Sequence, residues 1–126
     1  MAFLNERVLD LGLNILSTEA NRLDICSSEP STYGQATTSG TVSLGNKTSL
    51  SVGSPAARTP DGRKVTVAAI TTGGSVTSTA TATHWAITDT VNSRLLATGD
   101  LSASQAVTDG NTFTLDAFDI GIPDPA

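Results

Sequence analysis

Between residues 76 and 89 the side chains alternate with a period of two, and this pattern constrains the fold more than any other feature. One set is rich in threonine and ends in Trp85 and Ile87, whereas the other is rich in alanine and contains His84. Successive side chains of a strand point to opposite faces, and β-branched threonine suits a pleated sheet. The pattern predicts a strand with Trp85 facing the core. His84, on the other face, is then half-exposed or hydrogen-bonded.

Shorter alternating runs surround this strand and are separated by turn residues. They occupy residues 22–27, 63–70, 94–98, 105–108 and 112–122, with turn signals at 59–62, 73–74 and 109–111. Short strands joined by turns are typical of antiparallel all-β domains. The sequence therefore predicts a mainly-β fold: an antiparallel β-sandwich or barrel of about six short strands with one N-terminal amphipathic helix. We expect a single domain over residues 1–126.

The pattern of apolar residues over the first 21 positions predicts the N-terminal amphipathic helix. Leu4, Val8, Leu11 and Ile15 follow one another at steps of three or four residues, which places them on one helical face. The apolar stripe is wide for so small a domain, so it either packs across a sheet or contacts another chain. Leu4, Val8 and Leu11 are therefore candidate interface residues.

Residues 34–57 are rich in glycine, serine and threonine and contain few large apolar side chains. The composition predicts an extended arm that orders on contact with neighbours, or a loop carrying a short strand or two. We favour the arm, and this makes Tyr33, Val42, Leu44 and Leu50 candidate interface residues. Residues 58–126 would then form the core of the β-domain.

The residues that catalysis needs are scarce. Cys26 is the only cysteine, so it cannot form an internal disulfide, and its alternating neighbours favour a buried thiol. His84 is the only histidine, so a Ser-His-Asp or Cys-His arrangement would have to use it. The chain also lacks a Gly-x-Ser-x-Gly motif. We expect no enzymatic activity and assign no catalytic, cofactor-binding or metal-ligating residue.

Acidic charge is concentrated in the C-terminal quarter. The net charge is −5, all seven basic residues lie at or before Arg94, and five aspartates follow it. A solvated face, an acidic surface for a basic partner and a calcium site are the alternatives, although the glycine-punctuated calcium loop is missing. Asp116 and Asp119 are candidate contacts for a basic partner. The acidic balance argues against nucleic-acid binding, and the absence of a long apolar run argues against a membrane-spanning helix.

Several separated segments resemble a family of small virion proteins of tailed bacteriophages. The resemblance is carried by RVLD (7–10), ICSSEP (25–30), ATHWAI (82–87), SRLLA (93–97), LSASQAV (101–107) and FDIGIP (118–123). It implies a structural role in the particle, as a capsid decoration (cement) protein.

On this resemblance, the chain would be made in the host cytoplasm and bind the major capsid protein on the outer surface of the head. It would act as a homo-oligomer, by analogy a trimer. The alternatives are a tail, neck or fibre component of the virion, and a carbohydrate-binding β-sandwich module.

Overall fold

The computed structural model describes residues 3–4, 12–40, 42–59 and 62–122. Within these ranges there are nine strands, which form two antiparallel sheets, and two short helices. The strands are β1 Phe3–Leu4, β2 Arg22–Cys26, β3 Ser43–Thr48, β4 Ala56–Ala57, β5 Arg63–Val67, β6 Ser75–Val76, β7 Ala80–Asp89, β8 Arg94–Val107 and β9 Phe118–Ile122. The helices are α1 Asn14–Glu19 and α2 Tyr33–Thr37.

The larger sheet has the strand order β1-β8-β7-β2-β3-β6, and the smaller sheet has the order β4-β5-β9. Side chains from both sheets meet in one hydrophobic core. Its members include Leu23, Ile25, Ile87 and Leu96 of the larger sheet, Val65, Val67 and Ile120 of the smaller sheet, and Ile15 and Leu16 of α1. The mainly-β, antiparallel prediction is confirmed, and the two sheets form a sandwich rather than a closed barrel.

The second face of the larger sheet is covered as well. A separate cluster beneath α2 consists of Cys26, Ala36, Ala86 and Leu95, with Tyr33 and Val42 packed at its edge. Because β2 and β7 contribute side chains to both clusters, these two neighbouring strands are covered on both faces.

Burial on both faces places the carboxylate of Asp24 inside the protein. Arg22 donates to it twice, from Nε to Oδ1 at 2.7 Å and from Nη2 to Oδ2 at 3.0 Å. The hydroxyl of Ser43 donates a third hydrogen bond, and Arg22 also donates to the Thr37 carbonyl oxygen at the end of α2. This arrangement ties β2 to β3 and to α2.

Two opposing effects act on the Asp24 carboxyl. Burial, the larger effect, raises its pKa, while the hydrogen bonds from Arg22 and Ser43 lower it, and the net shift is upward. The folded protein therefore holds this proton to a higher pH than the unfolded chain does. As a consequence, the contribution of Asp24 to stability falls as the pH rises through the raised pKa.

The predicted helix over residues 1–21 is wrong at its start. Phe3–Leu4 is a strand whose residues pair with Thr98 and Ala97 of β8. Gly12 has a φ of +85°, which a continuous right-handed helix does not accommodate, so α1 is confined to Asn14–Glu19. Residues 5–11, with Val8 and Leu11, lie outside the described residues. Neither α1 nor α2 is long and apolar enough to cross a membrane.

The extended arm predicted over residues 34–57 also needs correction. Within this stretch Ser43–Thr48 is an integral strand that pairs with β2 on one side and β6 on the other. A Cβ atom on Gly45 would lie 2.5 Å from the carbonyl oxygen of Ser75, so glycine permits the close approach of β6. The alternative interpretation, a loop carrying a short strand, describes the segment better.

Replacing Arg22 by methionine should lower the free energy of unfolding by about 3 kcal/mol at neutral pH, because it leaves a buried carboxylate without its cation. The loss should shrink on acidification, since protonation removes the charge that Arg22 neutralises. Urea unfolding across the pH range measures both effects.

Arg94→Met is the matched control for this change. Its guanidinium lies 3.6 Å from Glu19 and is 39% exposed, so its removal should cost less than about 1 kcal/mol. Equal losses in the two variants, or a loss in Arg22→Met that is independent of pH, would contradict the importance of the buried pair.

Candidate functional site

A groove of about 600 Å³ opens between β8 and the segment that leads into β9. Its apolar lining comes from Trp85, Gly99, Leu101, Ala103, Leu115, Ala117 and Phe118, and its polar lining from Asp100, Ser102, Gln105, Asp116 and Asp119. The lining therefore combines apolar side chains with three carboxylates and contains no lysine or arginine.

Trp85 forms the inner wall of the groove. It pairs in register with Gly99 of β8, and its ring centroid lies 4.7 Å from that of Phe118 with the planes tilted by 37°. A Cβ atom on Gly99 would lie 2.5 Å from Cζ2 of Trp85, so the indole packs directly against the glycine backbone. Trp85 is only 9% exposed, which confirms its predicted place in the core.

An irregularity in β8 forms another wall. Ala82 pairs with Gln105 and His84 pairs with Asp100, so that four residues of β8 stand opposite Thr83 alone. Bulges of this kind bend a strand and re-aim its side chains, and they are enriched next to functional sites. Here the extra residues are 101–104, and Leu101, Ser102 and Ala103 all line the groove.

The three carboxylates differ in their partners. Asp100 is 71% exposed and its Oδ1 lies 2.8 Å from Nε2 of His84. Asp119 is 48% exposed and accepts hydrogen bonds from Thr66 Oγ1 at 2.6 Å and Lys64 Nζ at 3.0 Å, which lower the pKa of its carboxyl. Asp116 is exposed, and within the described part of the chain its carboxylate has no hydrogen bond or ion pair.

His84 links three parts of the fold. Its Nε2 contacts Asp100, and its Nδ1 lies 2.8 Å from Thr83 Oγ1, which in turn donates to the carbonyl oxygen of Ser27. The side chain is 21% exposed and has partners at both ring nitrogens, in agreement with the prediction of a half-exposed or hydrogen-bonded residue. The contacts join β7, β8 and the residue that follows β2.

Cys26 pairs in register with His84 but is not part of the groove lining, and its side chain belongs to the cluster beneath α2. Its side chain is fully buried, and burial, reinforced by the nearby charge of Asp24, raises the pKa of the thiol to about 12. The buried thiol predicted from the sequence is confirmed.

The structure separates the candidate interface residues into distinct groups. Leu44 and Leu50 are 3% and 9% exposed and belong to the core, so their prediction as surface contacts is wrong. Tyr33 and Val42 are half-buried against the second cluster. The backbone of Leu4 pairs with β8, whereas Val8 and Leu11 lie outside the described residues.

Of the candidates within the described residues, Asp116 and Asp119 line the groove. The sequence did not indicate the apolar half of this site. The runs predicted over residues 94–98 and 105–108 are parts of one strand, β8, so Gly99 and Asp100 lie inside it, and no pattern marks the bulge that follows them.

Among the described residues, no three His, Cys, Asp or Glu side chains are arranged to hold a metal ion.

Comparison of the chain with protein-family models, with curated proteins and with solved structures found no match.

Replacing Gly99 by alanine should disturb the wall of the groove. The added methyl overlaps the indole of Trp85, so we expect a loss of about 1–3 kcal/mol in unfolding free energy and a changed emission of this single tryptophan. Gly34→Ala is the control, because the nearest atom to its Cβ is 4.0 Å away and alanine favours the helix. Unchanged stability and emission in Gly99→Ala would refute the close packing.

The thiol of Cys26 should not react with a thiol-specific reagent in the folded protein at neutral pH, because it is both inaccessible and protonated. Addition of denaturant should release one reactive thiol per chain, and absorbance of the reagent measures it. Rapid stoichiometric labelling of the native protein would contradict this assignment.

Proposed function

We propose that this chain is a non-enzymatic structural protein of a tailed-phage particle, a decoration protein that binds the outer surface of the head and stabilises it. The proposal begins from the six segments that resemble such virion proteins. The observation that carries it further is the groove, which joins an apolar wall to three exposed carboxylates.

The distribution of charge supports attachment to a basic surface. Three of the five aspartates that follow Arg94 line the groove, although the residues themselves are up to 19 positions apart along the chain. Opposite charge steers association and sets the orientation of a partner, while apolar contact supplies affinity. The major capsid protein is the proposed partner.

The fold also suits a protein that is made in the host cytoplasm and never passes through an oxidising compartment. Its core is built from two sheets, and the single cysteine is buried, so stability is independent of disulfide formation. We extend the proposal to a homo-oligomer, by analogy a trimer, on the capsid.

A second candidate function is carbohydrate binding. Trp85 and Phe118 line the same groove as Gln105 and Ser102, and sugars are commonly held by aromatic rings together with amide and hydroxyl groups. Against it, Trp85 is only 9% exposed and packs on Gly99, which leaves little of the ring for stacking.

The direct test uses purified protein and undecorated, expanded heads assembled from the major capsid protein encoded in the same genome. We expect saturable binding by sedimentation and a higher temperature of head disruption, because a ligand that binds only the intact shell stabilises it.

Heads that neither bind the protein nor gain heat resistance would contradict the proposal. Labelling of intact particles that places the protein below the portal would favour a tail, neck or fibre component instead. Binding to a glycan array, with no binding to heads, would favour the carbohydrate-binding module.

A further inference from the structure

We infer that the groove beside Trp85 is a docking site for an extended basic segment of another protein. An aliphatic side chain of that segment enters the groove, and a lysine or arginine next to it pairs with the carboxylates at the rim. The inference rests on the proposed function only for the identity of the partner, which would be the capsid subunit.

The apolar part of the groove is accessible because of the local architecture. The bulge at residues 101–104 carries Leu101 and Ala103 on one side, and Leu115, Ala117 and Phe118 lie on the other. A volume of about 600 Å³ is suited to one or two side chains and their backbone. This favours an extended segment over a whole helix, which is about 10 Å across.

Charge complementarity specifies the second part of the ligand. Asp100 and Asp119 each have a partner, His84 and Lys64, but both carboxylates remain about half exposed or more. The carboxylate of Asp116 is exposed and has no partner among the described residues, so it is the strongest contact for an incoming cation. An acidic segment would gain no such pairing and would meet the strongest repulsion from Asp116.

Other ligand classes fit less well. The three carboxylates are not arranged as a metal site within the described residues. The indole of Trp85 is covered by Gly99 and packs against Phe118, so a sugar would find no open aromatic platform. A basic peptide needs neither feature and uses both the apolar wall and the acidic rim.

Trp85 is the only tryptophan in the chain and therefore reports on the groove directly. The probe is the peptide acetyl-Lys-Leu-Lys-Leu-Lys-amide, with acetyl-Glu-Leu-Glu-Leu-Glu-amide as its acidic counterpart. We expect a saturable change in tryptophan emission with the basic peptide, weakening as salt increases, and no change with the acidic peptide. A response to neutral oligosaccharides and to neither peptide would overturn the inference.

Two pairs of variants locate the binding. Asp116→Lys should weaken binding of the basic peptide by about tenfold or more, whereas Asp109→Lys, an equal charge change outside the groove, should alter it by less than about twofold. Ala103→Phe fills the groove and should also weaken binding, while Ala106→Phe, on the same strand but outside the lining, should not. All four positions are exposed, so folding should be preserved, which circular dichroism checks.

The same variants separate this inference from the proposed function. If heads bind the wild-type protein, Asp116→Lys and Ala103→Phe should bind them more weakly than their controls. Equal binding of all variants to heads and to the peptide would refute the docking site while leaving the decoration role intact. A groove that binds the peptide while heads bind no variant would refute the decoration role alone.

Discussion

The architecture depends on one buried carboxylate, that of Asp24 in β2, and on the side chains that hydrogen-bond to it. Asp24 is fully buried in β2, a strand that contributes side chains to both apolar clusters, and its burial is tolerable because Arg22 and Ser43 satisfy its oxygens. The same guanidinium binds the carbonyl oxygen that ends α2. One buried carboxylate and its partners therefore join β2 to β3 and to the helix that covers the second face of the larger sheet. Glu29, in the segment between β2 and α2, also fastens that segment to the larger sheet, since it accepts a hydrogen bond from Thr98 of β8.

The groove is a consequence of how the two sheets meet. Trp85 spans the gap between them because Gly99 leaves room for its ring and Phe118 packs beside it. The bulge in β8 then lifts residues 101–104 away from regular pairing and opens a space next to the indole. Its acidic rim collects aspartates that the sequence shows only as a scattered C-terminal excess.

The alternation of side chains predicted the strands and core residues that depend on local sequence. It failed where the position of a residue depends on contacts with distant parts of the chain. Trp85 and Ile87 were assigned to the core because they alternate with polar or small residues. Ala82 was placed on the face of His84, yet it packs in the same cluster as Trp85, because the register shifts between Ala82 and His84. Leu44 lies in a segment so rich in small polar residues that its composition predicts an arm. It is buried because β3 lies between β2 and β6 in the larger sheet, and no local pattern encodes these long-range pairings. The acidic residues of the groove could be predicted from the distribution of charge in the sequence. Its apolar residues could not, because the bulge in β8 brings them together.

We propose that this chain sits on the outside of a phage head and faces it with the groove beside Trp85. A cryo-electron microscopy reconstruction of the particle that contains the chain tests it most directly. We expect density for the two-sheet domain on the outer capsid surface, with a basic segment of the capsid subunit lying between residues 101–104 and Phe118. Density in the tail, or a domain on the head whose groove is open to solvent, would contradict it.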